Sequence, residues 1–134
     1  MGSDEDRDDA YRLGELEAEV MNVCWDKGQA TVHDVRDTLK PGRDPAYTTV
    51  MTVMNRLVEK GMLRRHKEGR AYVYTPAHQR EQVAGSLLRS LVDRFYKGAT
   101  LPAIAHLLET EEDVDEAELE RLEALLRARR EKGD

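Results

Sequence analysis

The sequence predicts a mostly α-helical protein with one small β-hairpin, arranged as a winged helix-turn-helix followed by a C-terminal helical region. Three observations predict it. Residues 46–60 carry an apolar stripe at helical spacing under a threonine-rich outer face. Directly after them, two short extended runs flank a glycine-containing turn. In the last third, leucines recur at helical spacing in greater number than three short helices can bury by themselves.

The elements follow in order. In GELEAEVMNVCWD (14–26), Leu16, Val20, Val23 and Cys24 share one stripe, and Lys27-Gly28 closes the helix. Thr31 opens a second, shorter helix. Its hydroxyl can accept a free backbone N–H, and Asp34 stands where the partner of a capping box belongs. Val32, Val35 and Leu39 form the inner stripe of that helix, and KPGRDP (40–45) breaks the chain with two prolines and a glycine.

A third helix covers about 46–60 and is stopped by Gly61. At about 100° per residue, Ala46, Tyr47, Val50, Val53, Met54, Leu57 and Val58 fall in one arc, with Met51 at its rim. Thr48, Thr49, Thr52, Asn55, Arg56 and Glu59 fall opposite. Extended runs at 62–67 and 70–75 flank Glu68-Gly69, which reads as the tip of a tight hairpin. Tyr72 and Tyr74 are expected to pack that hairpin onto the helices.

Residues 79–97 then form a helix bearing Val83, Leu87, Leu88, Leu91, Val92 and Phe95. Thr100 and Pro102 begin a short helix through Ile104, Leu107 and Leu108. Asp115 caps a last helix carrying Leu119, Leu122, Leu125 and Leu126, with Glu118 in capping-box position. This divides the chain into an acidic, disordered N-terminus (1–10), a winged-helix domain (11–77) and a helical dimerisation domain (78–130).

The 134 residues carry a formal net charge of −6, which taken alone argues against a nucleic-acid partner. The distribution argues for one. Residues 1–10 hold five acids against one base, and 109–123 hold nine against one. Between them, 56–70 hold six bases against two acids, a basic patch inside an acidic protein.

A solvated helix face normally uses long charged side chains. Threonine and asparagine instead allow close approach to a flat polar surface, and their groups suit the edges of bases in a DNA major groove. A recognition helix reads with its N-terminal residues, where Thr48, Thr49 and Thr52 lie. Arg64, Arg65, Lys67 and Arg70 crowd the hairpin, where charged ends can reach phosphate or a minor groove. Leu87, Leu91, Phe95, Leu101, Ile104, Leu107, Leu119, Leu122 and Leu126 supply a twofold-symmetric interface, so the expected partners are double-stranded DNA and a second copy of the chain.

Other classes find less support. The single cysteine, Cys24, excludes an intramolecular disulfide and lies in the apolar run VMNVCW, which suits a core thiol better than a nucleophile paired with His33. No metal set or cofactor loop is visible, His78 and His106 lack ligand partners at metal spacing, and His66 is expected to face phosphate or solvent. No apolar run approaches the roughly 18 residues that span a bilayer, so a soluble cytoplasmic protein is expected. A winged-helix adaptor that binds protein rather than DNA stays open as the second reading, against the retained basic wing.

The stretches LGELEAEVMNVCWDKGQATVHDVRDTL, AYTTVMTVMNRLVEKGMLRRHKEGRAYVYTP and KGATLPAIAHLLETEE resemble the BlaI/MecI (penicillinase repressor) family of bacterial transcriptional repressors, over roughly residues 11–130. The resemblance implies a homodimer that binds an inverted repeat of the TACA…TGTA type and blocks a promoter, with β-lactam-response genes among the targets. It implies base reading by Thr48, Thr49 and Thr52, with Met51 and Asn55 at the groove edge, and backbone or wing contacts by Thr31, His33, Tyr47, Arg56, Arg64, Arg65, Lys67 and Arg70. The copper-responsive branch uses C-terminal cysteine pairs, and this tail has none. In the β-lactam-responsive branch a sensor protease cuts an Asn-Phe bond; the corresponding place here is His106-Leu107.

Overall fold

The computed structural model describes residues 13–133. The expected disordered stretch 1–10 lies outside them. Six helices and a hairpin follow in chain order: α1 (Glu15–Lys27), α2 (Val32–Leu39), α3 (Tyr47–Glu59), β1 (Leu63–Glu68), β2 (Ala71–Pro76), α4 (Arg80–Phe95), α5 (Thr100–Thr110) and α6 (Glu116–Gly133). This is the winged helix-turn-helix order with a helical tail.

Local chemistry sets the ends of the first three helices. The backbone N–H of Gly14 donates to Glu17 Oε1 at 3.1 Å, and Gly28, at φ 84°, closes α1. At α2 both halves of the capping box form: Asp34 N–H donates to Thr31 Oγ1 at 3.1 Å, and Thr31 N–H donates to Asp34 Oδ2 at 3.0 Å. The Thr31 N–H holds the Asp34 carboxyl below its ordinary range. Gly61, at φ 79°, turns the chain out of α3 into the hairpin.

The core joins Val20, Met21 and Cys24 of α1, Val35 of α2, and Val50, Met54 and Leu57 of α3. Met62, Leu63 and Tyr74 of the hairpin region and Val83 of α4 complete it. Burial of each such aliphatic side chain contributes about 1.5–3 kcal/mol, so these faces decide how α3 is presented. Ion pairs brace the outside. Lys60 Nζ lies 2.8 Å from Glu17 Oε2, and Arg43 meets Glu19 at 2.6 Å and Glu15 at 3.1 Å. Arg43 thereby ties the α2–α3 loop to α1, while Arg36 Nε donates to the Pro45 carbonyl at 3.3 Å. Trp25 Nε1 donates to the His78 carbonyl at 2.8 Å, fixing the start of α4.

Three details differ from the sequence expectation. Ala46 and Tyr47, expected in the inner arc of α3, are exposed: Ala46 is the N-cap rather than part of the helix, and the Tyr47 ring lies against His33. The hairpin pairs Glu68 with Ala71, so its loop is Gly69-Arg70 and both strands lie one residue further on than expected. Gly69 takes the first loop position at φ 62°, a place glycine fills without steric penalty. Tyr74 is buried at 1% exposure, as expected, but Tyr72 is 43% exposed. The two share a strand face, yet Tyr72 pairs with Lys67 near the tip, out of reach of the core.

The described residues divide into two compact units between Ser90 and Leu91, within α4. The first half of α4 packs on the first core through Val83 and Leu87. The second unit holds the end of α4, α5 and α6, and neither α5 nor α6 contains a buried residue.

Candidate nucleic-acid interface

The inward stripe of α3 leaves Thr48, Thr49, Thr52 and Arg56 outside, and all four are exposed. With Val53 they border a shallow surface of about 270 Å³. This face is short, uncharged over its first two turns and basic at its end, which suits close approach to the base edges of a major groove. The Thr52 hydroxyl donates to the Thr48 carbonyl oxygen at 2.8 Å, so the side chain is held in one rotamer.

A second groove, about 380 Å³, runs between α3, the start of α2 and the wing. Thr31, His33, Tyr47, Met51, Arg65 and Arg70 line it together with Asn55, Ala71, Tyr72 and Tyr74. The His33 and Tyr47 rings meet at 5.0 Å between centroids, which brings two of the expected backbone contacts side by side. Tyr72 was not among the expected site residues. It is the platform of the wing: the Arg65 guanidinium lies 4.6 Å and the Lys67 ammonium 5.8 Å from its ring centroid. The strand alternation could have revealed this, since residues 65, 67, 72 and 74 share a face once the register is known.

The four wing bases therefore do not form one patch. Arg65 lines the groove and Lys67 shares its strand face, Arg64 belongs to the opposite face, and Arg70 sits in the loop. His66 Nε2 lies 3.1 Å from Glu68 Oε1 on the face of Arg64. Asn55 is half-buried, and its Oδ1 accepts from Arg65 Nη1 at 2.7 Å and from the Tyr74 hydroxyl at 2.8 Å. Cys24 is fully buried, and burial pushes its thiol up to about 12, whereas His33 is exposed beside Tyr47. Among the described residues no group of three or more His, Cys, Asp or Glu could hold a metal ion, and no helix is long and apolar enough to cross a membrane.

Of the residues expected to pair two copies, Leu91, Phe95, Leu101, Ile104, Leu107, Leu119 and Leu126 are exposed, Phe95 at 74% and Leu101 at 75%. Leu122 is half-buried, and Leu87 packs against the first core. Leu88, Leu108 and Leu125 join the exposed set at the same helical spacing.

The family model of the penicillinase repressor matches residues 13–128. The transcriptional regulator BlaI of Mycobacterium tuberculosis is 39% identical over 100 residues, 73% of this chain and 72% of that protein. The penicillinase repressor of Bacillus licheniformis is 31% identical over 101 residues, 75% of this chain and 79% of that one. The solution structure of the DNA binding domain of the repressor BlaI superposes with a TM-score of 0.48 at 35% identity, covering 52% of this chain and 84% of that chain. With helix α3, the basic wing and the exposed helical tail all inside the matched span, the chain belongs to the penicillinase repressor family.

Proposed function

We propose that this protein is a transcriptional repressor that binds double-stranded operator DNA as a homodimer and so blocks a promoter. The observation that carries the reading is the uncharged, exposed Thr48-Thr49-Thr52 face of α3, flanked by Arg56 and by a groove whose far wall holds Arg65 and Arg70. In this reading Thr48, Thr49 and Thr52, with Met51 at the rim, enter the major groove. Arg56, Arg64, Lys67 and Arg70 meet phosphates, and Thr31, His33 and Tyr47 rest against the backbone at the other edge.

Each copy reads one half-site, and two copies are joined through the exposed apolar residues of the tail, Phe95, Leu101 and Leu126 among them. Of residues 78–130, the part after Ser90 serves this pairing, while Val83 and Leu87 pack in the winged unit that serves DNA. The names of the relatives, regulator and repressor, support the same reading. The site of action is the bacterial cytoplasm, with the DNA.

Release by a sensor protease cutting at His106-Leu107 would have to unwind α5 first, because the bond lies inside that helix.

Fluorescence anisotropy tests the proposal on a duplex carrying a TACA…TGTA inverted repeat and on a scrambled duplex, each at two salt concentrations. A preference of about 10³-fold or more with a steep salt dependence is expected. Weak and equal binding to both duplexes, and to those recovered from a random pool, would overturn it in favour of a protein-binding adaptor.

A further inference from the structure

Asparagine on a reading helix ordinarily pairs with adenine through both ends of its amide, the nitrogen donating to N7 and the oxygen accepting from N6. Asn55 occupies such a place on α3, but its oxygen is already engaged. Arg65 Nη1 donates to Oδ1 at 2.7 Å and the Tyr74 hydroxyl donates to the same atom at 2.8 Å. A carbonyl oxygen offers two lone pairs, so both are filled and no acceptor remains for a base. The first donor is charged, which makes its bond stronger than a neutral one. The second comes from a side chain only 1% exposed, which itself cannot touch DNA.

We propose that Asn55 is a positioning residue: it holds the wing at a set distance from the reading helix and aims Arg65, rather than reading a base. This rests on the repressor reading above. The two bonds span from α3 to both strands of the hairpin, because Arg65 and Tyr74 are cross-strand partners. Arg65 is gripped on a second side by the Tyr72 ring, 4.6 Å from its guanidinium carbon. Its remaining N–H groups are thereby presented in a fixed orientation to a phosphate. The base of the wing has its own attachment, since Ala30 and Tyr74 exchange two backbone hydrogen bonds at 3.0 and 2.9 Å. Loss of the Asn55 amide therefore loosens the aim of the wing and leaves the fold in place.

The test compares Asn55→Ala, Arg65→Ala, the double variant and Tyr74→Phe with the wild-type chain. Asn55→Ala is expected to weaken operator and scrambled duplexes by the same factor, about tenfold, and to lower the salt slope by about one unit, as one phosphate contact is lost. Arg65→Ala should do the same, and the double variant should be no worse than either single one. Tyr74→Phe, which removes one of the two donors, should give a smaller loss on both duplexes. In the free protein, ¹⁵N relaxation should show the amides of 65–72 gaining fast motion in Asn55→Ala while those of α3 stay rigid.

A loss confined to the operator duplex with an unchanged salt slope would overturn the proposal and return Asn55 to base reading. Hairpin amides as rigid in Asn55→Ala as in the wild type would also overturn it. That second result is read without DNA, so it judges the lock separately from the repressor reading, which fails only if the wild-type chain shows no preference among duplexes.

Discussion

The hydroxyl of Thr52 donates to the main-chain carbonyl oxygen of Thr48, 2.8 Å away on the preceding turn of α3. Its proton is committed inward, so the side chain presents only an acceptor oxygen and a methyl group outward. A base can meet it by donating, as adenine N6 or cytosine N4 do, or by packing a thymine methyl. Thr52→Ala should therefore weaken the operator by about 1–3 kcal/mol and leave the scrambled duplex unchanged. Thr52→Val and Thr52→Ser then divide the effect, the first keeping the methyl and the second the oxygen. Equal losses on both duplexes for Thr52→Ala would remove it from the reading face.

Arg70 stands in the hairpin loop, between the two paired strands of the wing. Arg70→Ala is expected to weaken every duplex alike and to reduce the slope of log affinity against log salt by about one unit. A titration series over several salt concentrations measures it, and a loss that depends on sequence would contradict a phosphate contact.

Leu101 is among the most exposed large apolar side chains of the tail. In the proposed dimer, a charge there should separate the two copies while the winged unit, whose core it does not enter, stays folded. Sedimentation velocity of Leu101→Asp is expected to give monomers with unchanged near-ultraviolet dichroism from Trp25. A dimer surviving this substitution, and Leu122→Asp as well, would place the interface elsewhere.

Burial raises the Cys24 thiol to about 12 from an ordinary 9, so the native thiol stays protonated and shielded. The folded protein should resist a thiol reagent at pH 8 and react fully once denatured. Fast labelling of the native chain would show that the α1 core opens.

Burial alone would raise the Glu17 carboxyl. The hydrogen bonds from Lys60 and the Gly14 N–H, with the charges of Lys60 and Arg56, outweigh burial and leave it below its ordinary 4.5. A lowered folded value means stability that is present above pH 4.5 and lost as pH falls through that lower value. Lys60→Met should thus lower Tm near neutral pH, and the gap to the wild type should close in acid. A gap that persists at pH 2 would assign the effect to packing instead.

Much of this architecture was legible from the chain. The stripe of α3, the cap at Thr31 with Asp34, the stop at Gly61 and the buried Cys24 are local patterns, set by residues three or four apart. What escaped was non-local or off by one. A glycine beside a hairpin loop can take either central position, so spacing alone could not choose between Glu68-Gly69 and Gly69-Arg70. The shift moves Arg70 out of the strand into the loop and makes Lys67, rather than Arg65, the cross-strand partner of Tyr72. The meeting of Asn55 with Arg65 and Tyr74 joins residues 10 and 19 positions away, and no periodicity announces it.

The paired backbone bonds between Ala30 and Tyr74 have a mechanical consequence. They rivet the wing to the turn behind α1, so wing and helices form a single jaw without a hinge at its root. Such a jaw meets its operator already shaped, and little entropy is lost in ordering it on contact.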